Sequence, residues 1–340
     1  MTWPFAPPIE TMEAKVMESW PAGKFAYEPK WDGFRAVSWS GSSPRLDSRN
    51  QRPLLRYFPE LAEAIAGLPA HTVVDGEVVV TIDNVTSFDA LQQRIHPAAS
   101  RIKLLSNETP AQLVAFDLLA LDEEDLRNRP FSERRARLVE LAAGFSYPWN
   151  LTPSTIDETT ARRWFDEFEP AGCDGIIAKP LGQGYVHGKR AMIKLKHRRT
   201  VDCLVGGYRE HKAGGKIGSL LLGLYNDQGE LHFIGHCSGF GDVDRGEIFE
   251  NFQALRAEGS FGEEARAPGG VSRWTGDKDL TWVPITPGVV VEVSYDQLEE
   301  GRFRHATRFH RWRPDKDPAS CTMDQLERPS GLGFAEVVGI

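Results

Sequence analysis

Up to about Thr200, short apolar runs bounded by Gly, Pro, Asp or Asn alternate with amphipathic stretches. Strands are expected at Phe25–Pro29, Phe34–Trp39, Val73–Val80, Gln112–Leu119, Gly175–Lys179 and Ala191–Lys196, where Val, Ile and Phe concentrate. Helices are expected at Glu60–Ile65, Phe88–Ile95, Glu133–Ala143 and Thr160–Phe168. Ser87, Ser132 and Thr159 stand where N-caps are needed, and Pro170 with Gly172 stops the last helix.

Beyond Thr200 the texture changes. Val201–Tyr208, Ser219–Tyr225, Glu230–Ser238 and Val289–Tyr295 read as strands between Gly-rich turns, with one helical stretch at Glu247–Ala257. Short strands with a single helix fit a small β-barrel of the OB type. The expected organisation is an α+β domain over residues 1–198, an all-β OB-fold domain over 199–318, and a C-terminal tail over 319–340. The boundary is expected near His197–Thr200.

Composition is that of an ordinary soluble globular chain: 340 residues, 41 % hydrophobic and 26 % charged. No apolar run is long enough for a membrane span, and Met1–Glu10 lacks the basic and apolar regions of a secretory leader, so a cytoplasmic protein is expected. The four cysteines form no CxxC pair, and the histidines show no ligand spacing, which leaves no zinc or redox motif. The net charge of −8 speaks against a nucleic-acid partner until its distribution is considered. Lys179–Lys216 carries ten Lys/Arg against two acids, and Gly301–Lys316 six against one. These segments fit a surface that meets phosphates, and equally a solvated basic face.

The sharpest chemical feature is Glu28-Pro29-Lys30-Trp31-Asp32-Gly33-Phe34-Arg35, between two expected strands. A lysine attacks only as the neutral amine, which desolvation or neighbouring cations favour. Further motifs follow in order: Ser48-Arg49-Asn50, Asp75-Gly76-Glu77, Phe116-Asp117-Leu118-Leu119, Asp174-Gly175-Ile176-Ile177-Ala178-Lys179, Lys194-Leu195-Lys196 and Arg313-Pro314-Asp315-Lys316. Some have plain structural alternatives. Phe116 also suits an apolar core, Asp174-Gly175 a turn, and the two lysines a half-exposed edge strand.

The ordered set resembles the nucleotidyltransferase motifs of the covalent ligase and mRNA-capping superfamily. Tyr57-Phe58-Pro59-Glu60-Leu61, Leu91–Pro97 and Arg311–Asp315 look very like the small actinobacterial ATP-dependent DNA ligases of the C type. The resemblance covers nearly the whole chain. It implies an adenylation (nucleotidyltransferase) domain followed by an OB-fold, and an ATP-dependent DNA ligase that seals nicks between a 3′-hydroxyl and a 5′-phosphate. Lys30 would carry AMP covalently. Glu28 would recognise the adenine edge and Phe116 would stack on the base. Arg35 and Arg49 suit ribose and phosphate oxygens, or the 5′-phosphate of the nick. Glu77 and Asp174 would hold Mg²⁺ or Mn²⁺, Asp174 standing where related ligases often have Glu. Lys194 and Lys196, on one face of a strand, would cradle the α-phosphate and depress the pKa of Lys30 by like-charge repulsion. Arg313 and Lys316 would orient the leaving pyrophosphate, the second domain closing over the site for that step about a hinge near His197–Thr200.

Nicked double-stranded DNA is the expected partner, with a primase–polymerase type repair protein beside it, and a monomer associated with the nucleoid is the expected state. An NAD-dependent ligase is disfavoured, because 29 residues precede Lys30 and zinc-binding cysteines are lacking. A capping guanylyltransferase or RNA ligase shares much of the motif set and differs in nucleotide and polynucleotide. A nucleic-acid-binding module with an inert first domain is the reading from another class.

Overall fold

The computed structural model describes residues 3–262, 268, 281–299, 301–326 and 330–339. They form two compact units: residues 3–196 together with 330–339, and residues 197–326. The chain therefore leaves the first unit at Lys196 and returns to it at its end. Residues 319–326 belong with the second unit and 330–339 with the first, whereas a single tail was expected over 319–340; residues 327–329 and 340 lie outside the described residues.

The first unit is built on two sheets. The larger has β4 (Arg45–Ser48), β3 (Phe34–Trp39), β5 (Val73–Ile82), β7 (Ala111–Leu121) and β8 (Glu124–Asp125) in that order, with β6 (Val85–Thr86) paired to β5 and β9 (Trp149–Leu151) to β7. The smaller runs β1 (Glu13–Val16), β11 (Arg190–Leu195), β10 (Ile176–Pro180), β2 (Phe25–Pro29). Pairing is antiparallel apart from β1–β11 and β7–β9. Val37, Trp39, Val73 and Leu119 of the larger sheet share a buried cluster with Met12, Tyr185 and Met192. The other face of the larger sheet packs on α1 (Leu61–Ala66), α2 (Phe88–Gln93) and α4 (Phe131–Ala142) through Leu61, Ile65, Leu91 and Leu138. The smaller sheet is covered by α5 (Glu158–Glu167) through Ala161. Because β5 is buried on both faces, its sequence is nearly continuous Val, and the exceptions Asp75 and Glu77 stand out as two apart on one face.

In the second unit β12 (Arg199–Glu210), β13 (Ile217–Tyr225), β14 (Leu231–Gly239), β16 (Val290–Tyr295) and β19 (Thr307–Trp312) close on themselves. The pairing circuit is β12–β13–β14–β19–β16–β12, with β14–β19 parallel and the other four antiparallel. A five-stranded closed Greek-key barrel of this order, with α6 (Arg245–Gln253) between its third and fourth strands, is the OB-fold. The short β15 (Val283–Pro284) adds to β12, and β17 (Leu298–Glu299) with β18 (Arg302–Phe303) makes a hairpin.

The expected strands are present with ends moved by at most two residues. Among the elements that escaped the pattern are β1, β4, β19 and α3 (Ala99–Glu108), with several two- or three-residue strands. Ser87 caps α2 by accepting from the Ala90 amide. The other two expected caps shift. Asp157, not Thr159, caps α5, its carboxylate taking both the Thr159 and Thr160 amides, and α4 opens after Pro130 rather than Ser132. All four cysteines are buried and unbridged. Among the described residues no helix is long and apolar enough to cross a membrane.

Candidate active site

Lys30 lies in the tight connection from β2 to β3, and its backbone is clamped on both sides. Its N–H donates to the Gly175 carbonyl at 2.8 Å, and its carbonyl accepts from the Asp174 N–H at 2.7 Å. The clamp requires Gly175, which has φ +113° and where a Cβ would sit 2.0 Å from the Leu195 carbonyl oxygen. It requires Gly33 as well, since a Cβ there would lie 2.3 Å from the Val78 carbonyl oxygen. Two glycines far apart in sequence thus let three strands converge on one lysine.

Lys30 Nζ stands 2.9 Å from Asp174 Oδ2, and Lys196 Nζ stands 2.8 Å from the same oxygen. Asp174 is 2 % exposed and Lys30 21 %. Burial opposes the charge on Lys30, but Asp174, Asp32 and Glu77 together outweigh it, and the lysine pKa is held above its ordinary value. This corrects the expectation that Lys194 and Lys196 depress it: Lys196 spends its charge on the carboxylate that Lys30 also uses. The lowered lysine is Lys194, half-buried and facing the like charges of Lys30 and Lys196. Burial works against the Asp174 anion, yet the two lysines hold its carboxyl below the usual range.

Glu77 follows a different logic. Burial raises its pKa to about 8 even though Lys30 and Arg35 pull it down. It sits opposite Arg35 in the β3–β5 register. The Arg35 guanidinium is turned to Asp75, donating from Nε at 3.0 Å and Nη2 at 2.6 Å, and to the Met12 carbonyl. Tyr185 donates to the same Asp75 carboxylate at 2.6 Å. Arg35 is therefore largely committed within the protein. Arg49, in the turn after β4, is exposed, and its amide donates to the Arg35 carbonyl, which sets the two arginines side by side in the backbone.

Glu28 and Phe116 mark a second part of the site. Glu28 is buried and pairs with buried Lys179 at 2.7 Å, and Lys179 Nζ also donates to the Phe116 carbonyl at 2.7 Å. The other Glu28 oxygen, Oε1, accepts no hydrogen bond from any described residue and has Arg135 Nη1 3.8 Å away. Arg135 is anchored by donating to the Thr152 carbonyl at 2.7 Å. Phe116 interrupts the β5–β7 ladder: Asp75 faces Asp117 and Gly76 faces Ala115, which leaves Phe116 as the extra residue of a bulge. Its ring is half-exposed while Ala115 and Asp117 are buried, so the bulge turns it out of the core.

Among the expected site residues, Glu28, Lys30, Arg35, Arg49, Glu77, Phe116, Asp174, Lys194 and Lys196 all lie on the first unit. Arg313 and Lys316 lie on the second, with their own acidic partners: Arg313 Nη1 is 2.9 Å from Asp202 Oδ1, its Nη2 is 2.9 Å from Asp315 Oδ2, and Lys316 is 3.5 Å from Asp202. Sequence reasoning missed Asp75, Tyr185, Arg135 and Lys179 as parts of the site. Lys179 was legible, since it ends the motif begun by Asp174. Arg135 sits on a charge-rich helix with nothing to distinguish it from its neighbours.

Among the described residues no group of three His, Cys, Asp or Glu side chains is placed to hold a metal ion. Glu77 and Asp174 both act on Lys30 through their charge, and carboxylate oxygens suit a hard divalent ion that keeps waters and phosphate oxygens in its shell.

Residues 6–196 match the ATP dependent DNA ligase domain, and residues 213–316 match the ATP dependent DNA ligase C terminal region. The chain is 49 % identical to DNA ligase C2 of Mycolicibacterium smegmatis over 97 % of both chains, and 47 % identical to DNA ligase C of Mycobacterium tuberculosis over 99 % of both. A solved structure from a structure–function study of Lig E DNA ligases shares the fold, at TM-score 0.55 and 16 % identity, over 89 % of this chain and 99 % of that one. With both family regions matched in order and relatives at 47–49 % identity over nearly the whole chain, this chain belongs to the ATP-dependent DNA ligase family.

Proposed function

We propose that the enzyme seals nicks through a covalent lysine–AMP intermediate on Lys30. The observation that carries this is the double backbone clamp of Lys30 by Asp174 and Gly175, which holds one amine rigidly among charged groups. In the first step the neutral Lys30 amine attacks the α-phosphate of ATP, a nitrogen–phosphorus bond forms, and pyrophosphate leaves. AMP then passes to the 5′-phosphate of the nick, and the 3′-hydroxyl displaces it. Each step depends on in-line positioning and charge neutralisation. Since Lys30 starts as an ion-paired ammonium, substrate binding must loosen the hold of the carboxylates before the amine can react.

Glu28 Oε1, a buried acceptor to which no described residue donates, is suited to the exocyclic amine of adenine, and half-exposed Phe116 to its face. Lys194 and Lys196 supply positive charge for the α-phosphate. Arg49, exposed in its turn, suits a phosphate of ATP or DNA. Arg313 and Lys316 would trade acidic partners for the pyrophosphate. Glu77 and Asp174 would hold Mg²⁺ or Mn²⁺, which supplies neutralisation of phosphate charge. The cellular reading is DNA repair on nicked duplex DNA, as a nucleoid-associated monomer working with a primase–polymerase type protein.

Incubation with α-labelled ATP and Mg²⁺ or Mn²⁺, followed by denaturing electrophoresis, tests the central claim. The wild type, first stripped of AMP with pyrophosphate, should take label and Lys30→Ala should not. No label in the wild type would remove the covalent mechanism.

A further inference from the structure

The segment 330–339 packs directly behind the nucleophile. The Phe334 ring meets the Trp31 ring edge-on, with centroids 5.3 Å apart, and Trp31 Nε1 donates to the Thr152 hydroxyl at 2.9 Å. Phe334 and Val337 share one buried cluster with Trp31, Val79 and Cys173. Each of these partners adjoins the chemistry: Trp31 follows Lys30, Cys173 precedes Asp174, and Val79 lies two residues beyond Glu77 on β5.

The docking is specific. Asn84, in the left-handed turn between β5 and β6 with φ 63°, receives the Phe334 amide on its carbonyl at 2.6 Å and the Ala335 amide on Oδ1 at 2.8 Å. Its Nδ2 donates to Glu336 at 2.8 Å. Gly333 permits this approach, because a Cβ there would fall 2.1 Å from Asn84 Nδ2. The helix α7 (Phe334–Val338) has five residues, too short to persist alone in water, so its order comes from the surface it covers.

We propose that segment 330–339 is a positioning element for Lys30: Phe334 fixes the Trp31 ring, and Trp31 fixes the clamp that aims the amine. The inference rests on the lysine–AMP reading. Phe334 and Glu336 act through Trp31 and Asn84. A displacement of about 1 Å in a reacting group costs about 100-fold in rate, so slackness behind Trp31 should be felt at Lys30.

The test compares Phe334→Ala, Phe334→Tyr and Glu336→Ala with the wild type in two reactions: labelling of the lysine by α-labelled ATP, and sealing of a nick that already carries 5′-AMP. The second needs the folded enzyme and its DNA contacts but no attack by Lys30. Labelling should slow at least about 10-fold in Phe334→Ala and less in Glu336→Ala, Phe334→Tyr should recover most of it, and sealing of the adenylated nick should stay within about twofold. If Phe334→Ala fails to fold, Glu336→Ala carries the test, since its exposed side chain leaves the core intact. Unchanged labelling in a folded variant, or equal loss in both reactions, would overturn the proposal. A wild type that takes no label would overturn the lysine–AMP reading and this inference with it.

Discussion

Lys30 Nζ and Asp174 Oδ2 lie 2.9 Å apart, and the backbones that carry them exchange a hydrogen bond at 2.7 Å. The nucleophile and its nearest carboxylate are thus fixed to each other twice, once by charge and once by main chain. The backbone bond does not depend on protonation, so the geometry survives when the ion pair is broken for reaction.

The charge on Lys30 gives the first prediction. Its pKa is raised, so the ammonium is fully populated at neutral pH and lost only as pH climbs past the ordinary lysine range. Competitive acylation of the ligand-free protein should place its titration above that of exposed lysines, and Asp174→Asn should bring it down. The Asp174 carboxyl is depressed, so its stabilisation is present in full above its ordinary value of 3.8 and disappears as pH falls through the lower folded value. Asp174→Asn should cost roughly 2–3 kcal/mol in denaturant unfolding at pH 7, at the low side for a broken buried pair because both lysines keep some solvent. An unchanged midpoint would show that the pair contributes little.

Glu77 should behave in the opposite sense. Its folded pKa of about 8 lies above its ordinary value of 4.5, so folding takes up a proton between those values and stability falls as pH rises through that window. Glu77→Gln, neutral at every pH, should raise the stability of the metal-free protein by about 1–3 kcal/mol at pH 7.5. The same change should slow lysine labelling by at least about 100-fold, as expected when a phosphate-neutralising ligand is lost. Thermal melts with and without Mn²⁺ check the first part, the metal stabilising the wild type and not the variant, and incubation with α-labelled ATP checks the second.

The glycines of the clamp make a steric prediction. Gly175→Ala places a methyl 2.0 Å from a backbone oxygen at a left-handed φ, so backbone must move on one side. A loss of about 2–4 kcal/mol in unfolding free energy is expected, together with loss of labelling. Gly41 offers the control. It also has a positive φ of +136°, but nothing lies within 4 Å of its Cβ position, so Gly41→Ala isolates the conformational cost from the collision.

Arg313 should matter for one step only. It is held by Asp202 and Asp315 of its own unit. If its task is the departing pyrophosphate, Arg313→Ala should slow labelling by about 100-fold or more and leave sealing of a pre-adenylated nick within about threefold. Equal loss in both reactions would point instead to a general DNA contact.

Local pattern was enough for much of the fold. Alternation of Val, Ile and Phe with turn residues marked β2, β3, β5, β7 and β10, and the change of texture after Thr200 marked a barrel. The motif around Lys30 was visible because its chemistry needs a fixed residue order within eight positions. Where stability comes from a distant partner, the pattern was silent. β19 carries Arg308, His310 and Arg311 on an outward face and is a strand because it closes the barrel between β14 and β16. β4 and β1 are edge strands whose few residues pair with one neighbour each.

The chain itself therefore determined which side chains can do the chemistry, since lysine, carboxylate and arginine identities are properties of single positions. Tertiary structure alone decided what each of them faces. It gave Lys30 and Lys196 one shared carboxylate, reversing the expected direction of the Lys30 pKa. It turned Arg35 toward Asp75, lifted Phe116 out of the core on a bulge, and brought Phe334 back behind Trp31 across some three hundred residues. The physical reason is that a buried charge is governed by every group within a few ångströms, and that neighbourhood is set by strand register and packing, which no local window of sequence contains.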